Sequence, residues 1–82
     1  MDMLKLKEVI KQTAAIEIKC IGCKVIMYNS DLEPIGEYGF NMVGEIVNLM
    51  AEYDSVLLTR FKKDLIRLGV AELIDLRYGI KI

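Results

Sequence analysis

Residues 15–29 constrain the fold more than any other stretch. The run Ala15-Ile16-Glu17-Ile18-Lys19-Cys20 puts Ile16, Ile18 and Cys20 on one face and Glu17 and Lys19 on the other. That two-residue period belongs to a half-buried strand. Ile21-Gly22 follows, with a glycine where a two-residue hairpin turn needs one. Cys23-Lys24-Val25-Ile26-Met27-Tyr28-Asn29 then supplies a second strand, apolar on both faces at Val25, Ile26 and Met27. Such a strand is expected inside a sheet rather than at its edge.

The flanking segments read mostly as helices. Over residues 2–14, Met3, Leu6, Val9, Ile10, Thr13 and Ala14 fall on one stripe, with Asp2 as the N-cap and Leu4 projecting to the polar side. After the hairpin, Asn29-Ser30-Asp31 and Glu33-Pro34-Ile35-Gly36 break the pattern, and Pro34 keeps residues 30–36 out of the centre of a sheet. Glu37-Tyr38-Gly39-Phe40 fits either a short strand or a loop. With Gly36 and Gly39 near its end, this acidic stretch reads as the mobile segment.

Residues 42–53 predict a second helix, N-capped by Asn41, with a wide apolar arc of Met42, Val43, Ile46, Val47, Leu49, Met50 and Tyr53. So wide an arc needs cover on more than one side. Asp54-Ser55 ends it and caps the next. A third helix over 56–68 turns Leu57, Leu58, Phe61, Leu65 and Leu68 inward, and Gly69 suits its C′ position. From Ile74 to Ile82, apolar residues alternate with Asp75, Arg77, Gly79 and Lys81, which predicts a final strand paired with the hairpin. Its free edge is a candidate for pairing across a dimer. The 82 residues therefore predict one α+β domain over 1–82. Its order is αββααβ, with a small antiparallel or mixed sheet and three helices.

Composition enters at the surface. A chain this short buries only roughly 60–65% of the surface its unfolded form exposes. Yet 54% of its residues are hydrophobic and its mean hydropathy is +0.33. The surplus points to a protein partner, the simplest being a second copy. Charge is polarised along the chain. Residues 1–24 carry +2, residues 25–54 carry −6 and no Lys or Arg, and residues 55–82 carry +3. Unless the fold interleaves them, two opposite patches result, able to pair between subunits or to face different partners. The charged start, Met1 to Lys7, lacks the apolar core of a secretory signal, and no run is long enough to span a bilayer. A cytoplasmic protein with no membrane partner is expected.

Three constellations could carry chemistry. Cys20-Ile21-Gly22-Cys23 supplies two thiols at a turn. Zinc needs four ligands, and with no other Cys and no His the set could be completed only by a second chain. A redox dithiol would sit at a helix start, not between strands. The plainer alternative is two small apolar residues flanking a turn.

Thr59, Arg60, Lys63 and Arg67 make a basic outer face on the third helix. Two helices joined at Tyr53-Asp54-Ser55, followed by a strand after Gly69, resemble the helix-turn-helix plus wing arrangement in outline. That resemblance implies a DNA-binding module with the 56–68 helix in the major groove. The plainer alternative is a solvated helix face.

Enzymatic function is not expected. Without His there is no triad, and Gly36, Gly39 and Gly44 lack the spacing and the lysine of a phosphate loop. The leading expectation is a small non-enzymatic regulator, adaptor or inhibitor that binds protein and self-associates, an inhibitor from a virus or mobile element being one version of it. Glu33, Glu37, Tyr38 and Phe40 are its candidate contact residues.

Overall fold

The structure, a computed structural model, describes residues 3–82. Helix α1 spans Met3–Gln12. The expected cap at Asp2 and the side chain of Met3 lie outside what is described. Leu6, Val9 and Ile10 are buried as their spacing predicts, and Leu4 faces solvent. Thr13, also buried, donates its hydroxyl to the Val9 carbonyl at 2.6 Å, so its polar atom is satisfied inside the core. Ala14 N–H then donates to Tyr28 O at 2.8 Å and leads the chain into the sheet.

Strands β1 (Ala15–Lys19), β2 (Lys24–Tyr28) and β3 (Pro34–Gly39) form an antiparallel sheet in the order β1-β2-β3. The doubly apolar β2 is central. Val25 and Met27 are fully buried on its inner face, opposite Ile18 and Ile16 of β1. Pro34 opens an edge strand, where its missing N–H costs nothing. The stretch 34–39 is thus a paired strand rather than a mobile loop. A bulge between β2 and β3 pairs Met27 with Gly36 but Tyr28 with Pro34, so Ile35 is the extra residue. At Gly36 an added Cβ would stand 2.9 Å from Val9 Cγ1. Glycine there lets the sheet and α1 approach each other.

A 3-10 turn, Phe40–Met42, precedes α2 (Val43–Tyr53). Asn41 lies inside that turn and does not cap α2; the N-cap residue is Met42, which makes no side-chain cap hydrogen bond. Val43, Ile46, Leu49 and Met50 fill the core. Asp54 caps α3 (Ser55–Arg67) as expected, accepting from Leu57 N–H at 3.0 Å. Leu57, Phe61 and Leu65 are buried, whereas Leu68, expected inside, is 40% exposed. The helix ends in a Schellman motif. Val70 N–H donates to Leu65 O, Gly69 N–H donates to Ile66 O, and Gly69 has φ +76°.

The last segment departs from expectation. Residues Ala71–Tyr78 form helix α4, not a strand. The left-handed Gly69 reverses the chain, and Ala71-Glu72-Leu73 favours a new helix. Of the alternating stripe only Ile74 is fully buried within α4; Leu76 is 86% exposed. Gly79, at φ +66°, then turns the tail so that Ile80 and Ile82 pack on the core, Ile80 against Gly44 of α2. A Lys81–Asp75 ion pair at 2.8 Å ties the tail to α4. The order is therefore αβββααα. The C-terminal edge expected to pair across a dimer does not exist, and the sheet's edges are β1 and β3.

Candidate protein-interaction surface at the sheet

The helices cover one face of the sheet and leave the other open. The open face alternates charge with apolar surface. Glu17 of β1 is flanked by Tyr28 of β2, whose hydroxyl donates to Glu17 Oε1 at 2.8 Å. That bond, followed by partial desolvation, raises the Tyr28 phenol above its ordinary 10. Lys24 and Glu37 pair across β2 and β3 at 2.8 Å. The Lys24 ammonium holds the Glu37 carboxyl below its ordinary 4.5, and the carboxylate holds Lys24 above 10.5. Sequence polarity is thus interleaved here: an acid of the −6 segment is neutralised by a lysine of the basic N-terminal segment.

The loop from β2 to β3 is built around Asn29. Its Oδ1 accepts from Asp31 N–H and Glu33 N–H, both at 3.0 Å, and its Nδ2 donates to Glu33 Oε1 at 3.1 Å. Its backbone N–H donates to Glu33 O, and its carbonyl accepts from Leu32 N–H, again at 3.0 Å. Leu32 is held at φ +61°, a left-handed conformation that costs a non-glycine residue about 1 kcal/mol. Its side chain is nonetheless 72% exposed. With Ala15, Ile16, Glu17 and Tyr28 it lines an open depression of about 440 Å³ beside the free edge of β1.

The β1–β2 loop presents the opposite shape. Ile21, at its tip, is 95% exposed. Lys19 pairs with Lys24, so Cys20 to Cys23 form a four-residue connection, with positive φ at Gly22 (+84°) and Cys23 (+52°). The expected two-residue turn would have placed that conformation one residue earlier. Cys20 is exposed, and Cys23 directs its thiol at the Cys20 carbonyl, 3.5 Å away. Among the described residues no group of three or more metal-binding side chains converges.

The four residues expected to meet a partner do not share one surface. Glu37 is on the open face, Glu33 closes the Asn29 loop, and Tyr38, one residue on from Glu37, points inward and is half-buried. Burial pushes its phenol above 10. Phe40 is 2% exposed and belongs to the core, which removes its ring from any surface contact. What sequence reasoning missed is Tyr28, Leu32, Ile21 and Glu17. The available signal was an isoleucine at a hairpin tip and a leucine inside the polar Asn29–Glu33 break, both positions that ordinarily favour polar residues.

On α3, Thr59, Arg60, Lys63 and Arg67 do share one exposed face, interleaved with Val56 and Ile66. Thr59 donates to Ser55 O at 2.9 Å, and Arg67 pairs with Asp64 at 3.3 Å. The segment after Gly69 is a helix, so the wing of the expected arrangement is absent from it.

The chain matches no protein-family model, no curated protein and no solved structure. Among the described residues no helix is long and apolar enough to cross a membrane.

Proposed function

We propose that the protein is a small non-enzymatic interaction module, a regulator, adaptor or inhibitor that self-associates and binds protein through the open side of its sheet around Tyr28 and Leu32. One observation carries this reading: Leu32 stands in water while hydrogen bonds centred on Asn29 hold it in a strained conformation. Burying such a leucine at an interface contributes about 1.5–3 kcal/mol. Because the loop is already ordered by those bonds, little conformational entropy opposes the contact. Residues held in sparsely populated backbone regions cluster at active sites, ligand clamps and switch regions. The test compares Leu32→Asp with Lys63→Glu against a protein partner first recovered with the wild-type chain. Binding lost with Leu32→Asp and kept with Lys63→Glu is expected. Binding that survives Leu32→Asp in a folded protein would overturn this reading.

A second reading rests on α3. Among the described residues Arg60 and Lys63 have no ion-pair partner, as suits cations that meet phosphates. It predicts salt-dependent binding to duplex DNA that weakens in Arg60→Glu and Lys63→Glu. Absence of binding at low salt would end it.

A further inference from the structure

The depression at Leu32 and the knob at Ile21 lie at opposite ends of the same edge strand. β1 is an edge of the sheet, and among the described residues no strand pairs with its free side. Ile16 and Ile18, on the inner face, remain partly exposed, while the β2 residues beside them, Met27 and Val25, are fully buried. The core is therefore open along β1, and α3, which packs nearby, does not close it. Unpaired N–H and C=O groups along such an edge are a template for another strand.

The sequence of β1 selects what that strand is. In an antiparallel pair, residues opposite one another point to the same face, so a two-fold axis must pass through a residue, not between two. An axis at Glu17 or Lys19 would set like charges face to face. An axis at Ala15 or Ile16 pairs neither charge with its opposite. An axis at Ile18 sets Glu17 opposite Lys19 of the second copy, and Lys19 opposite its Glu17. Among centres on the five residues of β1, Ile18 alone makes the strand complementary to itself. β1 ends at Lys19, and counting on into the β1–β2 loop sets Ile21 of the second copy level with Ala15. That places Ile21, the most exposed large apolar side chain among the described residues, at the end of the strand where the Leu32 depression lies, twice over. The Tyr28 hydrogen bond engages Glu17 Oε1 from the β2 side, away from the free edge.

We propose that two copies of the chain pair through their β1 edges, antiparallel about Ile18, with Ile21 of each seated in the Leu32 depression of the other. The two three-stranded sheets become one six-stranded sheet. Such an interface is isologous: each contact occurs twice and the assembly closes as a dimer. The inference rests on the reading of the Leu32 surface as a protein-binding site and names the occupant.

The test is mass in solution, by light scattering or sedimentation over a concentration series, with circular dichroism as the folding control. The wild-type chain is expected to dimerise. Glu17→Lys and Lys19→Glu each turn both cross-strand pairs into like-charge pairs, and each is expected to weaken the dimer about tenfold. The double variant Glu17→Lys/Lys19→Glu restores opposite charges and is expected to recover the dimer. Ile21→Ser removes no packing within the monomer, since Ile21 is 95% exposed, and is also expected to weaken the dimer. A wild-type monomer at every concentration overturns the dimer, while the Leu32→Asp test with a foreign partner still decides the reading beneath it. A dimer indifferent to the single charge reversals, or not rescued by the double variant, overturns this register.

Discussion

Tyr28 and Glu17 lie on neighbouring strands and share one proton-mediated contact, the phenol donating to the carboxylate at 2.8 Å across the open face of the sheet. The carboxylate favours the protonated phenol, which raises the Tyr28 pKa above 10. A raised folded-state pKa means that this contact contributes fully below pH 10 and is lost as pH rises through the higher value. An ultraviolet titration of wild type against Tyr28→Phe should therefore show the missing phenol ionising above pH 10. In Glu17→Gln the same phenol should ionise at lower pH than in wild type.

Lys24 and Glu37 have the opposite pair of shifts. Glu37 is lowered below 4.5, so its contribution is present above that pH and fades as pH falls through the folded value. Lys24 is raised above 10.5, so its contribution is present below that pH and fades as pH rises through the folded value. Both side chains are about half exposed, so salt screens the pair and the effect is small. Thermal unfolding of Glu37→Gln should match wild type below the acid limb and fall slightly short of it at neutral pH in low salt. Equal stability at pH 7 in low salt would leave the pair without a measurable role.

Gly36 stands where α1 crosses the sheet. Gly36→Ala puts a methyl group 2.9 Å from Val9 Cγ1 and 2.8 Å from the Tyr38 ring. The ring can swing, but Val9 is fixed on a packed helix. Overpacking of this kind costs about 1–3 kcal/mol. Urea unfolding should show a lower midpoint with an unchanged slope.

Asn29→Ala removes three side-chain hydrogen bonds from the loop that holds Leu32. A loss of about 1–3 kcal/mol is expected. Hydrogen exchange at Asp31 and Glu33 should accelerate while the core strands stay protected, because the loop opens locally.

In the proposed dimer the Cys20 positions of the two chains are four residues apart along the ladder, about 13 Å. Four thiolates cannot then converge on one zinc at about 2.3 Å each. The dimer's mass should be unchanged by a chelator. Dissociation on chelation would favour the shared four-thiolate site over the β1 pairing.

Much of the architecture is legible along the chain where one period dominates. Ile16, Ile18, Val25 and Met27 declare the hairpin and its buried face. Leu6, Val9 and Ile10, then Ile46, Leu49 and Met50, then Leu57, Phe61 and Leu65 declare three helix stripes. Asp54 and Gly69 mark a cap and a C′ residue by local chemistry, which needs no distant partner. The candidate site is less legible. Arg60, Lys63 and Arg67 share a face because helical spacing alone puts them there. Glu37 and Tyr38 separate because adjacent strand residues point to opposite faces.

Tertiary structure decided the rest. The alternation from Ile74 to Ile82 fits a strand as well as a helix followed by a tail, since both turn Ile74, Ile80 and Ile82 toward the core. The Gly69 reversal, the Gly79 turn and the place for Ile80 against Gly44 select the helix, and each depends on where α2 already lies. Likewise the bulge at Ile35 and the contact of Gly36 with Val9 set the final register of β3. Local periodicity settles which face of an element is apolar; the packing of other elements around it settles which of two compatible elements forms.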